Sequence, residues 1–332
     1  MKRRTFLTLT AVTPLAACFR SEQIVLNGTT MGTSYTVKYS PARTGVSTPV
    51  MQTGIDQLLT AINRSMSTYD AQSELSRFNQ AGHTDWIAAS ADLTRVLGQA
   101  RQISQLSSGA FDVSVGPLVN LWGFGPEQHA ETIPGASELA HSRARIGYER
   151  LHIDPAQQAI RKDHPDLYID LSGIAKGFGV DKVAEYLETQ GVTDYLVEIG
   201  GEMRSRGINQ DGQAWRIAIE EPTPGPRRIR KIIQLSGQSI ATSGNYRNFF
   251  ERNGQRYSHM IDPTTAWPIK HELALVSVIS DQVMHADALS TALMVAGPER
   301  GYQLAQAQNL AALFISVDGS ERFTHAFRQY LA

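Results

Sequence analysis

The chain contains the segment His285-Ala-Asp-Ala-Leu-Ser-Thr-Ala-Leu-Met-Val-Ala-Gly297, which has the composition of a buried helix. Alanine, leucine, methionine and valine make up most of it, so a helix here would be apolar nearly all round. Asp287 and Thr291 stand one helical turn apart, which places both side chains on one face. A buried carboxylate without a partner is unfavourable by several kcal/mol, and Asp287 therefore needs a cation.

The kind of cation follows from the ligand atoms. Oxygen ligands without a neighbouring cysteine or histidine pair favour Mg²⁺ over Zn²⁺ or copper. The same pair also fits a structural interpretation, in which Asp287 caps the helix and Thr291 bonds to the backbone. Two ligands do not make a metal site, so both interpretations stay open on this segment alone.

The first residues have the pattern of an export signal. A basic start at residues 2–4 precedes an apolar stretch over residues 6–17, and small residues come directly before Cys18. This pattern is typical of a bacterial lipoprotein, in which residues 1–17 are the signal peptide, Cys18 carries the lipid and residues 18–332 form the mature domain. The basic start is compatible with Sec export and with the twin-arginine route. A lone cysteine near an N-terminus can also be incidental.

Charge and cysteine content exclude several classes of protein. Removal of residues 1–17 takes away three cations and no acids, which changes the formal net charge from −1 to −4. An acidic body without a long basic run argues against a nucleic-acid-binding protein. Because Cys18 is the only cysteine, the chain has no intramolecular disulfide and no other thiol nucleophile. No apolar run in the mature chain reaches membrane-spanning length.

Strand-like and helix-like patterns alternate irregularly along the body. Helical spacing of apolar residues follows an N-cap at Ser90 and runs to residue 106. Gly200-Gly201 supplies the positive φ of a tight hairpin turn. Strands are predicted at 24–26, 35–39, 151–153, 159–161, 167–171, 195–199, 202–205, 215–219, 229–235, 273–280 and 311–317. Strands without a regular βαβ rhythm predict an α+β fold that is mixed and strand-rich, rather than a doubly wound sheet.

A second candidate site follows the strand predicted at 167–171. The sequence Asp170-Leu-Ser-Gly-Ile-Ala-Lys-Gly-Phe-Gly179 indicates a strand that enters a glycine-rich turn and then a helix. Backbone amides at such a helix start, together with Lys176, suit a phosphate group. The glycine spacing matches neither a Walker A loop nor the dinucleotide-binding fingerprint. Close packing of the glycines against a neighbouring element explains the same pattern, and the sequence does not decide between the two.

A third candidate is His259, which lies in Ser258-His-Met-Ile-Asp-Pro263, shortly after Thr242-Ser-Gly244. The histidine stands between a polar strand end and an Asp-Pro turn, where it could be held in one orientation at a cleft. It could then act as general base for a hydroxyl nucleophile. A lone histidine in such a place is also compatible with a structural role.

Eight motifs, taken together, resemble the ApbE family in content and order. They are Gly28-Thr-Thr-Met-Gly-Thr33, Met66-Ser-Thr-Tyr69, Gly109-Ala-Phe-Asp112, residues 170–177, Glu198-Ile-Gly-Gly-Glu202, Thr242-Ser-Gly244, residues 258–263 and residues 287–297. The resemblance runs from residue 25 to residue 317, nearly the whole mature chain. It implies an ApbE-like fold of two closely packed lobes with a FAD site between them.

The resemblance also implies a reaction. FAD is cleaved with Mg²⁺, its FMN moiety passes to a threonine or serine hydroxyl of an acceptor protein, and AMP leaves. His259 corresponds to the family's catalytic histidine. Asp287 and Thr291 would bind the metal through their side chains, and Gly173 through its carbonyl oxygen. The residues that would line the FAD site are Met31, Tyr69, Ala110, Phe111, Asp112, Asp170, Lys176 and Ile261.

Two other activities fit the same motifs, namely Mg²⁺-dependent hydrolysis of FAD to FMN and AMP, and binding of FAD by a non-catalytic lipoprotein. The family also implies a lipid anchor on the periplasmic side of the inner membrane, although Phe19 after the anchor leaves the sorting open. No segment identifies the acceptor protein. The chain departs from the family pattern at Ala266, where glycine is usual. We expect a differently shaped turn there, because alanine tolerates positive φ less well.

Overall fold

The computed structural model describes residues 22–41, 44–126 and 132–331. The predicted signal peptide and Cys18 lie outside the described residues. None of the described helices is long and apolar enough to cross a membrane. The helices are α1 (Thr48–Met66), α2 (Glu74–Gln80), α3 (Ala91–Leu106), α4 (Gly116–Leu121), α5 (Ala136–Ala144), α6 (Ala175–Thr189), α7 (Val283–Ala296) and α8 (Arg300–Ala307), with 3-10 turns at Val113–Val115, Tyr148–Arg150 and His325–Tyr330.

An eight-stranded sheet in the order β1-β2-β6-β7-β10-β15-β16-β17 forms the centre of the structure. Its described pairings are all antiparallel. The strands of the whole chain are β1 (Ile24–Thr30), β2 (Thr33–Tyr39), β3 (Ile87–Ala88), β4 (Leu151–Asp154), β5 (Ala159–Lys162), β6 (Tyr195–Ile199), β7 (Glu202–Arg206), β8 (Trp215–Glu220), β9 (Ile229–Leu235), β10 (Ser239–Gly244), β11 (Phe249–Arg252), β12 (Gln255–Ser258), β13 (Ile261–Asp262), β14 (Trp267–Pro268), β15 (Leu273–Ser280), β16 (Ala311–Ser316) and β17 (Glu321–Phe323). The predicted α+β class is confirmed, whereas the division into two lobes stays a prediction.

Both faces of the central sheet are covered. Val276 and Val278 of β15 belong to the large core that contains α1, α3, α6 and α7. Leu275 and Ile279 of the same strand belong to a second core, formed with the β8–β9 hairpin on the opposite face. Because neighbouring residues of a strand point to opposite faces, a strand covered on both sides is mostly apolar. Six of the eight residues of β15 are accordingly apolar, and the hydroxyl of the buried Ser277 pairs with that of Thr242 on β10 at 2.8 Å.

Helices α6 and α7 cap each other, because a carboxylate of each helix accepts hydrogen bonds from backbone amides at the start of the other. Asp181 of α6 accepts hydrogen bonds from the Val283 and Met284 amides at the start of α7, at 3.1 and 2.9 Å. In return, Asp287 of α7 accepts a hydrogen bond from the Gly177 amide at the start of α6, at 3.0 Å. A Cβ atom at Gly177 would lie 2.6 Å from the Val283 carbonyl oxygen, so only glycine permits this crossing.

Several local predictions are confirmed by the structure. Helix α3 begins after Ser90, whose hydroxyl accepts a hydrogen bond from the Leu93 amide at 3.2 Å and so caps the helix. The β6–β7 hairpin turns at Gly200 and Gly201, which have φ values of +62° and +111°. The buried helix predicted at 285–297 is α7, which begins two residues earlier at Val283.

The strand predicted at 167–171 is wrong. These residues are extended but pair with no strand among the described residues, and β3 supplies the third strand of the small β3-β5-β4 sheet. The side chain of Asn79 takes the place of a partner strand, because it bonds both the amide and the carbonyl of Ile169 at 2.8 Å. The buried ammonium of Lys162 holds the Leu167 carbonyl at 3.4 Å. Side chains therefore satisfy this segment, which an apolar pattern cannot reveal.

The turn at Ala266 keeps a left-handed backbone without glycine. Ala266 has a φ of +64°, and its amide donates to the Asp262 carbonyl at 2.8 Å. Its own carbonyl accepts a hydrogen bond from the buried indole of Trp122 at 3.0 Å. Since φ is positive, the alanine occupies the conformation that favours glycine, and its neighbours hold it there.

Candidate functional site

One cavity of about 510 Å³ contains all the residues predicted to take part in the reaction. It lies where the start of α6, the end of β10 and one face of α7 meet. The predicted FAD, metal and base residues that line it are Met31, Tyr69, Ala110, Phe111, Asp112, Asp170, Gly173, Lys176, His259, Ile261, Asp287 and Thr291. Met31, Tyr69 and Lys176 also line a neighbouring cavity of about 700 Å³. The two adjoining cavities provide space for an elongated ligand.

Asp287 is a buried carboxylate in the first turns of α7. Its side chain is only 4% exposed, one oxygen accepts a hydrogen bond from the Gly177 amide, and the other lies 4.0 Å from the Lys176 ammonium. Burial raises the pKa of Asp287, and the nearby ammonium and the amide counteract this only in part. The sequence predicts that Asp287 needs a cation, and the Lys176 ammonium is one such neighbour, whereas a metal ion at this carboxylate stays a prediction.

Two further residues with oxygen ligands, Thr291 and Gly173, line the cavity together with Asp287. Thr291 follows one turn later on α7, and its hydroxyl is 3.0 Å from the Ser243 hydroxyl. The backbone of Gly173 passes close to this threonine, because a Cβ atom on Gly173 would lie 3.3 Å from the Thr291 hydroxyl oxygen. A carboxylate, a hydroxyl and a carbonyl form a set of hard oxygen donors without imidazole or thiolate. Such a set fits Mg²⁺.

Lys176 is shared between two buried carboxylates. Its ammonium forms an ion pair with Glu202 at 2.8 Å and approaches Asp287 at 4.0 Å. Burial opposes the charge of Lys176, yet the two carboxylates raise its pKa above the usual value. Burial and, to a smaller extent, repulsion from Asp287 raise the pKa of Glu202 to about 7, because the attraction of Lys176 offsets these two effects only in part. Lys176 is thus a fixed cation at the cavity wall.

The glycine-rich turn offers fewer free amides than the sequence predicts. The Ile174 and Ala175 amides both donate to the Leu171 carbonyl, at 3.0 and 2.8 Å. The Gly177 amide is taken by Asp287. At Gly177 the close-packing interpretation of the glycines therefore applies, because a side chain there would collide with α7. A phosphate at this turn would meet mainly the Lys176 ammonium.

His259 presents one ring nitrogen to the cavity. Its Nδ1 lies 3.1 Å from the carbonyl oxygen of Asn248, which also accepts the His259 backbone amide. Because a carbonyl only accepts, Nδ1 carries the proton of this bond, and Nε2 is left as a proton acceptor. Burial lowers the pKa of His259, and the positive charge of Lys176 adds to this effect. Both effects favour the neutral imidazole, which is the form that a general base requires.

The other predicted FAD residues differ in their surroundings. Tyr69 is 72% exposed at the rim that both cavities share, which leaves its ring free to stack on a planar ligand. Asp112 is buried and accepts hydrogen bonds from the Ser114 amide at 2.7 Å and the Tyr148 amide at 3.1 Å. Asp170 similarly accepts from the Ser172 amide at 2.7 Å. These two carboxylates shape the cavity wall as well as line it.

Among the cavity residues that the sequence did not single out are Glu202 and Ser243, which contact Lys176 and Thr291. Glu202 is 3% exposed, and its second oxygen has no hydrogen-bond partner within the described residues. The hairpin register provides the signal, because Glu202 stands opposite buried Ile199 and so points to the same face. Ser243 bonds the Ser290 hydroxyl at 2.8 Å as well as Thr291, but no sequence pattern links β10 to α7.

Comparison with known sequences supports the resemblance. The family model described as the ApbE family matches residues 31–314. A FAD:protein FMN transferase of Vibrio cholerae is 46% identical over 334 residues, which cover 99% of this chain and 99% of that protein. A FAD:protein FMN transferase of Escherichia coli K12 is 38% identical and covers 90% of this chain and 86% of that protein.

Solved structures give the same result. The flavin transferase ApbE from Vibrio cholerae superposes on this chain with a TM-score of 0.87 at 46% identity, and the superposition covers 94% of this chain and 100% of the Vibrio cholerae chain. The apbe protein from Thermotoga maritima is only 26% identical but still has a TM-score of 0.84, and the superposition covers 94% of this chain and 100% of the Thermotoga maritima chain. With a family match over most of its length and relatives that align from end to end, the chain belongs to the ApbE family.

Proposed function

We propose that this protein is a FAD:protein FMN transferase, which moves the FMN moiety of FAD to a hydroxyl group of an acceptor protein and releases AMP. One observation carries the proposal: every residue expected to bind FAD, bind the metal or act as base lines the same cavity. The relatives named for this activity align over nearly the whole chain, which supports it.

FAD would lie across the two adjoining cavities. Its ring systems are flat and aromatic, and Tyr69 and Met31 offer an exposed aromatic ring and a polarizable side chain where the cavities join. Its pyrophosphate carries two negative charges, and Lys176 is the cation fixed at that wall. Glu202 and Asp287 hold this lysine in place and keep it charged.

Asp287, Thr291 and the Gly173 carbonyl would hold Mg²⁺. Bound Mg²⁺ would neutralise the phosphate oxygens and align the phosphorus for attack. The described residues contain no group of three or more histidine, cysteine, aspartate or glutamate side chains that could hold a metal by themselves. Phosphate oxygens and water would therefore complete the ligand set. FAD affinity and Mg²⁺ affinity should consequently depend on each other.

His259 would act as the general base. Its Nε2 accepts the proton of the acceptor's threonine or serine hydroxyl while the hydroxyl oxygen forms a bond to the phosphorus of the FMN moiety. The bond from that phosphorus to the bridging oxygen breaks, and AMP leaves with that oxygen. The acceptor then carries FMN through a phosphoester bond. General-base assistance of this kind contributes about 10²–10⁴-fold to the rate.

We also propose that the protein is a lipoprotein attached through Cys18 to the periplasmic side of the inner membrane, after export by the Sec or twin-arginine route. The support is the basic, apolar and small-residue order of residues 1–18. The Cys18→Ser variant should lose incorporated lipid and appear in the soluble fraction with its FAD turnover intact. Membrane attachment unchanged by this variant would contradict the proposal.

The activity can be tested directly on the purified chain. It is incubated with FAD, Mg²⁺ and a candidate acceptor protein, and flavin fluorescence of the acceptor is read after denaturing electrophoresis, with AMP measured by chromatography. Transfer predicts fluorescent acceptor and an equal amount of AMP. Free FMN with AMP and an unlabelled acceptor would indicate hydrolysis instead. Intact FAD that remains bound would indicate a protein that stores the flavin.

The metal assignment makes a specific prediction. Asp287→Ala should lower turnover at limiting Mg²⁺ by more than about 100-fold, because even the loss of an outer hydrogen-bond partner weakens metal sites about 10–100-fold. Thr291→Ala should have a smaller effect, since a neutral hydroxyl is a weaker ligand. Asp85→Ala, which removes a carboxylate that is 85% exposed, is the matched control and should behave as wild type. Wild-type turnover of Asp287→Ala across a Mg²⁺ titration would disprove the assignment.

A further inference from the structure

A second groove runs along strand β8, beside the cavity that contains His259. It has a volume of about 470 Å³, and the five consecutive residues 216–220 of β8 all line it. Neighbouring residues of a strand point to opposite faces, so a face of β8 would contribute only alternate residues. The groove therefore follows the edge of β8. We call it the β8 groove.

The edge of β8 in this groove is open. Strand β8 pairs with β9 in a two-stranded sheet, and no other strand of the described residues pairs with it. An open edge presents unpaired backbone N–H and C=O groups, which can bind an extended peptide as an additional strand. The groove wall beneath the edge is apolar, with Ile217 and Ile240, and Ile229 is 66% exposed at its rim.

The charges of the groove are mainly positive. Four arginines line it, Arg216, Arg227, Arg228 and Arg247, against the single carboxylate of Glu220. Glu220 forms an ion pair with Arg247 and approaches Arg227 at 3.9 Å. Within the part of the chain that the structure describes, Arg216 and Arg228 form no ion pair and are exposed. These two guanidinium groups are available to a negatively charged partner.

The β8 groove is continuous with the reaction cavity. Gly200, Thr242 and Gly244 line both of them. Gly200 is the first residue of the β6–β7 turn and lies beside the cavity wall, because a Cβ atom on it would come within 3.3 Å of Lys176 and 3.5 Å of Glu202. Thr242 and Gly244 belong to the end of β10, next to Ser243, which bonds the proposed metal ligand Thr291. A chain that lies in the groove can therefore extend a residue into the cavity.

We propose that the β8 groove binds the acceptor protein through an extended, acidic segment that adds to the edge of β8 and brings its hydroxyl residue into the cavity. This inference rests on the proposed transferase function. Backbone hydrogen bonds to β8 supply affinity without regard to sequence, and the arginines select acidic side chains beside the acceptor hydroxyl. The exposed Ile229 offers a contact for one apolar side chain of the same segment.

The probe is a short synthetic peptide with one central threonine and flanking glutamates, compared with the same peptide carrying lysines. Binding to the full chain is measured by fluorescence anisotropy. The acidic peptide should bind at least about tenfold more tightly, and added salt should reduce the difference. The double variant Arg216→Glu with Arg228→Glu should lose the preference. The matched control is Arg143→Glu with Arg252→Glu, two exposed arginines outside the groove, which should keep it.

Strand addition is tested separately with N-methylated peptides. Methylation of alternate amides in one register should abolish binding, whereas methylation in the other register should leave it unchanged, because only one set of amides faces β8. In transfer assays the groove variant should raise the KM for an acidic acceptor about tenfold without a change in kcat or in FAD affinity. Equal loss in both registers would overturn binding along the strand edge.

The two proposals fail in different ways. Equal affinity for acidic and basic peptides, with flavin transfer intact, would overturn the groove assignment and leave the transferase function standing. Peptide binding without any flavin transfer by the wild type would overturn the transferase function instead. A concentration-dependent dimer that the groove variant abolishes would identify a second copy of this chain as the occupant, which would also overturn the acceptor assignment.

Discussion

Asp181→Ala should lower the free energy of unfolding by about 3–5 kcal/mol, the range found when one partner of a buried charged network is removed. The carboxylate is 1% exposed and accepts three hydrogen bonds, from the Val283 and Met284 amides and from Arg204 at 3.0 Å. Gln282, the N-cap residue directly before α7, provides no side-chain cap of its own. The substitution would therefore leave two buried amides unpaired, at about 1–3 kcal/mol each.

Two terms adjust this value in opposite directions. Loss of a negative charge at the start of α7 adds about 0.3–1 kcal/mol. Removal of a carboxylate whose pKa is raised by burial offsets part of the loss. Asp181→Asn should be milder, since it keeps one acceptor oxygen for one of the two amides.

Urea unfolding followed by circular dichroism measures the change in the free energy of unfolding. In thermal unfolding, the Tm should fall by roughly 6–10 °C, at about 2 °C per kcal/mol for a chain of this size. Asp85→Ala, an exposed carboxylate, should leave both quantities unchanged. A loss below about 1 kcal/mol for Asp181→Ala would refute the view that α6 provides the cap of α7.

Two further predictions concern groups with shifted pKa values. Because burial lowers the pKa of His259, the acidic limb of the kcat/KM profile should lie below about pH 6.5, and a partly active His259→Gln variant should lack that limb; an unchanged limb in that variant would assign the base elsewhere. Lys162 is buried, which lowers its pKa to about 8, so above that pH the unfolded chain holds more protons and stability should rise until about pH 10.4. The Lys162→Met variant should be less stable than the wild type, because three carbonyl groups lose their hydrogen-bond donor. If the stability of this variant still rose between about pH 8 and pH 10.4, the linkage to Lys162 would be contradicted.

The sequence predicted the elements whose signals are local. Helix α3 was recognisable from its N-cap Ser90 and apolar spacing, and the β6–β7 hairpin from Gly200-Gly201. The resemblance gathered its candidate residues from eight separate segments, and the structure brings them to one cavity. Their individual roles stay predictions, since shared lining of a cavity does not assign chemistry to each residue.

Non-local interactions could not be predicted from the same patterns. Asp181 reads as an ordinary helical aspartate, because the amides it caps lie about a hundred residues later in the chain. The segment 167–171 has a strand-like pattern, but the Asn79 side chain satisfies its backbone. The free edge of β8 depends on which strands are neighbours in space, and the alternating residue pattern of one strand does not identify those neighbours.

The mutual capping of α6 and α7 sets a condition for transplanting this site into another protein. Each helix relies on the other for the groups at its start, through Asp181 in one direction and Asp287 in the other. A graft of α7 alone would carry the face proposed to bind the metal and leave behind Asp181, which caps the start of this helix. A graft of α6 alone would carry Lys176 without the carboxylate that holds the Gly177 amide. The smallest portable unit is therefore the helix pair, and exchange between relatives should succeed when both helices come from the same parent.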